Sequence, residues 1–238
     1  AEATTDRPIL GVVRGSRYTL VIDGGNSDAH AHKLQQAMLK RFGEVSVDFV
    51  AVTHHHWDHV FGLNAWDAAV LAEQRVAQQL AHLSSLPWDD ASLMIQAELP
   101  EIPQHPRQVI IRLADVTFTD TLTLNLGGVC CELVHVGGEH APDSCVIYIY
   151  EVDTNTSSSV THTQATHTQP ADAQTTRQGG VLFLGDCTYQ NLYNGHSEAS
   201  YNMQALQGLL TRLAKFPAAW YVTSHNEAAQ DAPSFRQE

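Results

Sequence analysis

Positive charge is scarce in this chain: 13 Lys and Arg stand against 26 Asp and Glu, a formal net charge of −13. A general nucleic-acid binder needs a basic footprint for phosphates, so that class is set aside. Long apolar runs are also missing, and no stretch approaches the roughly 20 residues of a membrane span. No basic segment followed by an apolar core of signal-peptide type opens the sequence. Cysteine is sparse, with only Cys130, Cys131, Cys145 and Cys187, and their spacing gives no disulfide framework. Cys130 and Cys131 are neighbours in a strand-like run, so they point to opposite faces and do not bridge easily. Reduced thiols in a cytoplasmic compartment are the expectation. Cys187 reads as a small core residue rather than a ligand.

Histidine, by contrast, is plentiful, with 14 residues in a chain of 238. Four of them crowd one short stretch, Thr53-His54-His55-His56-Trp57-Asp58-His59. The apolar run Val47–Val52 before it reads as a buried strand, and Val60–Trp66 after it as a short helix. The histidines and the carboxylate therefore occupy a strand-to-helix loop, a common seat of chemistry on an α/β scaffold. His54 and His56 are two apart, so in extended backbone they share a side and form a pincer for a divalent metal. Asp58 and His59 follow once the strand turns, and they are placed to close on a second metal.

His-x-His-x-Asp-His after an apolar strand resembles the metallo-β-lactamase fold superfamily. Further blocks follow in that superfamily's order. Val136-Gly137-Gly138-Glu139-His140 offers a third histidine, Val181-Leu182-Phe183-Leu184-Gly185-Asp186 a carboxylate after an apolar strand, and Tyr221-Val222-Thr223-Ser224-His225 a last histidine. Leu20-Val21-Ile22-Asp23-Gly24-Gly25 matches the early strand ending in Asp-x-Gly. The resemblance covers about residues 18–226. It implies an α+β, four-layer αββα sandwich with two mixed sheets and helices on both outer faces. It also implies one ligand set of His54, His56 and His140, a second of Asp58, His59 and His225, and Asp186 on both. Two zinc ions about 3.5–4 Å apart are then expected, with iron or manganese fitting the same donors. Asp23 reads as an acceptor that orients a ligand from behind.

Length and composition fit one domain over residues 1–238, with a Thr/Gln/His-rich flexible insertion at 153–179 that lacks apolar residues to bury. His162 and His167 within it read as solvated rather than ligating, and His30 and His32 as surface residues. Helices are expected at 28–42 with Leu34, Ala37, Met38 and Phe42 inward, at 73–83 with Val76, Leu80 and Leu83 inward, at 87–99, and at 201–216 with Met203, Leu206, Leu209, Leu210 and Leu213 inward. Strands are expected at 9–13, 18–22, 68–72, 116–118, 121–126, 129–136, 145–150 and 218–223, with Gly127-Gly128 as a turn. Trp57 is the best candidate for a pocket wall, and Tyr189, Tyr193 and His196 lie in a loop expected to face substrate.

The implied activity is hydrolysis of a small-molecule ester, thioester, lactone or lactam by a metal-activated water, with Asp58 relaying a proton. The motif stretch is closest to glyoxalase II-like and lactonase-like members, although the His140 block departs from their usual Gly-His-Thr-x-Gly-Ser. Few residues follow His225, fewer than the C-terminal helical region of glyoxalase II. Two rivals remain: a mononuclear iron oxidoreductase like the persulfide dioxygenases, and a non-catalytic metal-binding protein. Every ligand position is filled, which favours the hydrolase. No oligomeric state follows from the sequence.

Overall fold

The computed structural model describes residues 7–43, 46–86, 110–152, 179–188, 202–225 and 229–235. Most of the 153–179 tract, the 87–99 stretch, His162, His167, Tyr189, Tyr193 and His196 lie outside the described residues. The chain divides into two compact units: Ala1–Val12 with Thr19–Phe118, and Val13–Tyr18 with Thr119–Glu238. No helix among the described residues is long and apolar enough to cross a membrane.

Five strands form the first sheet: β1 (Gly11–Arg14), β2 (Thr19–Ile22), β3 (Phe49–Ala51), β4 (Ala69–Glu73) and β5 (Val116–Phe118), in the order β1-β2-β3-β4-β5. β2, β3, β4 and β5 pair in parallel. Parallel neighbours need crossover connections, and here a helix lies in each of the three. Helix α1 (Asp28–Phe42) links β2 to β3. The short α2 (Trp57–Val60) and a single 3₁₀ turn at Leu63–Ala65 link β3 to β4. Helix α3 (Gln74–Ser85) follows β4. Val21, Val50, Val52, Val70, Leu63, Trp66, Met38, Val76 and Leu80 make one buried cluster in this unit. All four residues of β2 are buried, which is why its sequence is a continuous apolar run rather than an alternating one.

Helix α1 starts where a cap is available. Ser27 has extended backbone, and its side chain accepts a hydrogen bond from the His30 N–H at 3.2 Å. Ser27→Ala should lower stability by about 1 kcal/mol, the usual worth of such a cap, read as a shift in the urea midpoint at unchanged slope. The buried stripe of α1 runs through Ala31, Leu34 and Met38. Ala37 and Phe42, expected inward, are exposed instead, Phe42 to 41%. Both sit at the margin of the stripe that the 3.6-residue period traces through Ala31 and Met38, and Phe42 is already in the last turn.

The second sheet holds six strands in the order β11-β10-β9-β8-β7-β6: β6 (Thr121–Asn125), β7 (Val129–His135), β8 (Cys145–Glu151), β9 (Gly180–Gly185), β10 (Ala218–Thr223) and β11 (Gln230–Asp231). β6 to β9 pair antiparallel, β9 and β10 pair parallel, and β10 and β11 antiparallel. The β6–β7 turn uses Gly127 and Gly128 at φ of 92° and 79°, a region open to glycine and costly for other residues. Helix α4 (Met203–Leu213) provides the crossover before β10, and a short α5 (Ala232–Phe235) follows β11. The buried cluster of this unit includes Val146, Tyr148, Leu182, Leu184, Leu209, Leu213 and Tyr221. Met203, expected inward, is 65% exposed because it is the first residue of α4, one turn before the buried stripe of Leu206, Leu209 and Leu213. β11 and α5 have no counterpart among the expected elements; two residues and one turn are too short for periodicity to show.

Candidate metal centre

In the first unit the motif begins as β3 ends. His54 is buried, His56 half-buried, and their rings meet edge to face with centroids 4.6 Å apart. The chain then turns into α2 sooner than the sequence suggests. Asp58 and His59 lie inside that helix, not in the loop before it, because the helix starts at Trp57 rather than Val60. The turn swings His59 back against His54, with ring centroids 4.2 Å apart. The Nε2 of His59 lies 3.5 Å from Oδ2 of Asp58. His55 meets the ring of His56 edge to face. Trp57 packs against Phe61 one turn on.

The loop after β2 lies directly under this motif. Gly24 N–H donates to the His59 carbonyl at 2.7 Å, and Gly62 N–H donates to the Gly25 carbonyl at 2.8 Å. A side chain at Gly62 would place its Cβ 2.4 Å from the Gly24 oxygen, so only glycine permits this approach. The approach delivers Asp23, fully buried and at a φ of 64°. Asp is among the few residues that tolerate this left-handed region. Its Oδ1 accepts from the Thr53 N–H at 2.8 Å, and its Oδ2 accepts from the Thr53 hydroxyl at 2.9 Å. The same Oδ2 lies 2.8 Å from His59 Nδ1. Thr53 Oγ1 in turn lies 3.1 Å from His54 Nδ1. Thr53 is a residue the sequence reading passed over; its signal was a hydroxyl at the strand end, next to the first candidate histidine.

In the second unit, β7 ends in a loop shaped by Gly137 and Gly138, both at positive φ. The N–H groups of Val136 and Gly137 both donate to the Ser144 carbonyl at 2.9 Å, closing the loop. His135 donates from Nε2 to the Pro142 carbonyl at 3.0 Å, so it braces this loop. His140 is left to reach Asp186, its Nε2 lying 3.4 Å from Oδ2. Asp186 and His225 follow the ends of the parallel pair β9 and β10, where Thr223 is in register with Gly185. Ser224 N–H ties the two ends together through the Gly185 carbonyl at 3.1 Å. His225 Nε2 thereby comes 3.1 Å from Asp186 Oδ2.

Cys187, next to Asp186, packs in the buried cluster of its unit, and burial, followed by the charge of Asp186, pushes its thiol above the ordinary range. Cys131, also buried, is pushed up to about 12 by the same desolvation. All four cysteines are buried, and none is in a disulfide. His30, expected on the surface, is partly buried; its Nδ1 accepts from the Asn26 N–H at 3.3 Å. Burial first, then the charges of Arg7, Lys33 and His59, lower its pKa to about 4 against an opposing pull from Asp58. His32 is exposed, as expected.

The donors suit a borderline divalent cation such as zinc, which takes imidazole nitrogen and carboxylate oxygen. Hydrogen-bonded Nδ1 atoms on His54 and His59 direct the opposite nitrogen, Nε2, toward an ion, the usual arrangement behind ligating histidines.

A sequence model of the metallo-β-lactamase superfamily matches residues 10–154. No curated protein sequence matches the chain. Among solved structures, a metallo-β-lactamase with a HARLDQ motif from Cronobacter sakazakii is similar, at 16% identity and a TM-score of 0.59, over 94% of this chain and 74% of that one. A metallo-β-lactamase from Pontibacter korlensis is similar at 19% identity and a TM-score of 0.56, over 94% of this chain and 82% of the other. A subclass B3 metallo-β-lactamase from a soil metagenome library is similar at 15% identity and a TM-score of 0.56, over 92% and 74%. These likenesses establish the αββα fold, with its two mixed sheets and accompanying helices, and the family match covers more than half of the sequence. The chain belongs to the metallo-β-lactamase superfamily.

Proposed function

We propose that this protein is a binuclear zinc hydrolase acting on a small ester, thioester, lactone or lactam. Superfamily membership and clustered histidine and aspartate donors support metal-dependent hydrolysis at the general level. One observation carries the finer reading. In the first unit the His54 ring lies 4.6 Å from that of His56 and 4.2 Å from that of His59, with Asp58 3.5 Å from His59, and in the second unit His140 and His225 lie 3.4 and 3.1 Å from Asp186 Oδ2. A single ion has no use for seven such donors, whereas two ions use them all. In this reading His54, His56 and His140 hold one zinc, and Asp58, His59 and His225 the other. Asp186 serves both, in keeping with His140 and His225 both approaching its Oδ2.

When bound, the ions would lower the pKa of water from 15.7 to about 7 and polarise the scissile carbonyl. The chain's own residues do the rest. The histidines, neutral and held by their neighbours, fix the ions against a buried floor. Asp58, buried in α2, takes up a proton at its carboxylate as water adds to the carbonyl carbon. The bond to the leaving oxygen, sulfur or nitrogen then breaks, and that atom recovers the proton. The scarcity of positive charge suits a small, uncharged or metal-steered substrate better than a polyanion. Four buried cysteines outside any disulfide fit a reducing compartment such as the cytoplasm.

The test starts with metal-stripped protein reloaded with zinc. Elemental analysis should give two zinc ions per chain, and chromogenic esters, thioesters, lactones and β-lactams should include at least one that turns over only after loading. Two zinc ions bound without turnover of any member of that panel would remove the substrate class. One iron per chain, with oxygen consumed on a persulfide, would replace the hydrolase with a dioxygenase.

A further inference from the structure

Behind the candidate ligands of the first unit runs a continuous chain of hydrogen bonds: His54 Nδ1, Thr53 Oγ1, Asp23 Oδ2, His59 Nδ1, with spacings of 3.1, 2.9 and 2.8 Å. We propose that Asp23 is a positioning residue that sets the ring tautomer of one histidine in each proposed metal set, His59 directly and His54 through the Thr53 hydroxyl. Its consequence for metal binding rests on the binuclear reading above; the relay itself stands on this geometry alone.

The argument is one of donors and acceptors. A carboxylate only accepts, so His59 Nδ1 carries its hydrogen toward Asp23, and Thr53 donates its hydroxyl hydrogen there too. That hydroxyl has a single hydrogen. Having given it to Asp23, Thr53 meets His54 Nδ1 only as an acceptor, so this nitrogen is also protonated. Both rings are thereby left with a lone pair on Nε2, the atom a cation needs. Three features hold the carboxylate to this task. The Thr53 N–H pins Oδ1 at 2.8 Å, the side chain is fully buried, and the left-handed backbone at Asp23 leaves the loop little freedom. One oxygen atom therefore reaches ligands of both sets, although those ligands lie on different elements.

Two substitutions separate the proposal from a general structural role. Thr53→Val keeps the shape of the side chain but removes the hydroxyl, so His54 should lose its tautomer preference while His59 keeps its own. Asp23→Asn replaces an acceptor with an amide donor at one position, so both rings should move their hydrogen toward Nε2. Thr53→Ser restores the hydroxyl and should behave as the parent.

Nitrogen-15 spectra of histidine-labelled, metal-free protein, well above the ordinary imidazole pKa of about 6.5, read each tautomer directly. Titration with cobalt, followed by its absorption, reads the metal consequence: one of two binding steps weakened about 10–100-fold in Thr53→Val, and both in Asp23→Asn. The proposal is overturned if parent His54 carries its hydrogen on Nε2, or if Thr53→Val disturbs His59 as much as His54. If Asp23→Asn does not fold, the contrast between Val and Ser at position 53 still decides. The expected tautomers in a protein that binds no cobalt would keep the relay and remove the metal reading. Two full cobalt sites with no tautomer change in Thr53→Val would do the reverse.

Discussion

Asp58→Asn is expected to fold normally, to retain about one zinc per chain, and to hydrolyse its best chromogenic substrate at least ~100-fold more slowly than the parent, the scale of a lost general base. The substitution keeps the shape of a buried side chain in α2 and leaves the apolar cluster beneath it untouched. What it removes is charge. A neutral amide is a poorer partner for a hard cation than a carboxylate, and it cannot take a proton from attacking water. His54, His56 and His140 do not depend on Asp58, so the set they form should still fill. Thermal melting, zinc content and kcat/KM measured on one preparation separate the effects. Parent-like turnover at full zinc loading would take Asp58 out of the mechanism and favour a mononuclear site.

The second large effect concerns stability. Trp66→Ala should cost about 3–5 kcal/mol, enough to unfold a marginal domain, because truncating a buried tryptophan leaves a cavity as well as losing transfer energy. Trp66 is among the largest fully enclosed side chains and belongs to the cluster with Val21, Met38, Leu63 and Val70. Its indole N–H also donates to the Gly24 carbonyl at 3.2 Å, next to Asp23. The same residue thus fills the core and steadies the loop that carries the Asp23 relay. Trp66→Phe retains much of the volume and loses the hydrogen bond, so it should cost far less, about 1–3 kcal/mol for the unmet carbonyl and the smaller ring. Urea unfolding at constant slope gives both values. Equal losses in the two variants would mean that the hydrogen bond, not the volume, dominates.

Much of the candidate site, as a set of neighbouring donors, was legible in the sequence. His54, His56, Asp58 and His59 are close in sequence, and a strand leading into a tight turn cannot scatter them far. Asp186 and His225 were also visible, each directly after an apolar run that ends a strand, since buried strands print their character on composition. The strands Val116–Phe118 and Ala218–Thr223 were found for the same reason: their signals are local. The rotation of helices was read less well. Ala37, Phe42 and Met203 are apolar and near the right period, yet exposed, because periodicity gives the width of a stripe but not where tertiary packing centres it.

Sequence alone therefore determined the donor types, their order along the chain, and the superfamily they imply. Tertiary structure decided what distance along the chain hides. The carbonyl of Pro142 engages His135, while His140 lies beside Asp186. The meeting of Asp186 with His225 depends on the parallel register of β9 and β10, set by a sheet whose strands are far apart in sequence. The link from Asp23 through Thr53 to His54 and His59 depends on a glycine-only approach between two loops, which delivers a buried carboxylate to its donors across some thirty positions of chain. Residue type says what each group can donate or accept. Only the packed backbone says which partner it finds, because hydrogen bonds act over about 3 Å and the sequence carries no such distance.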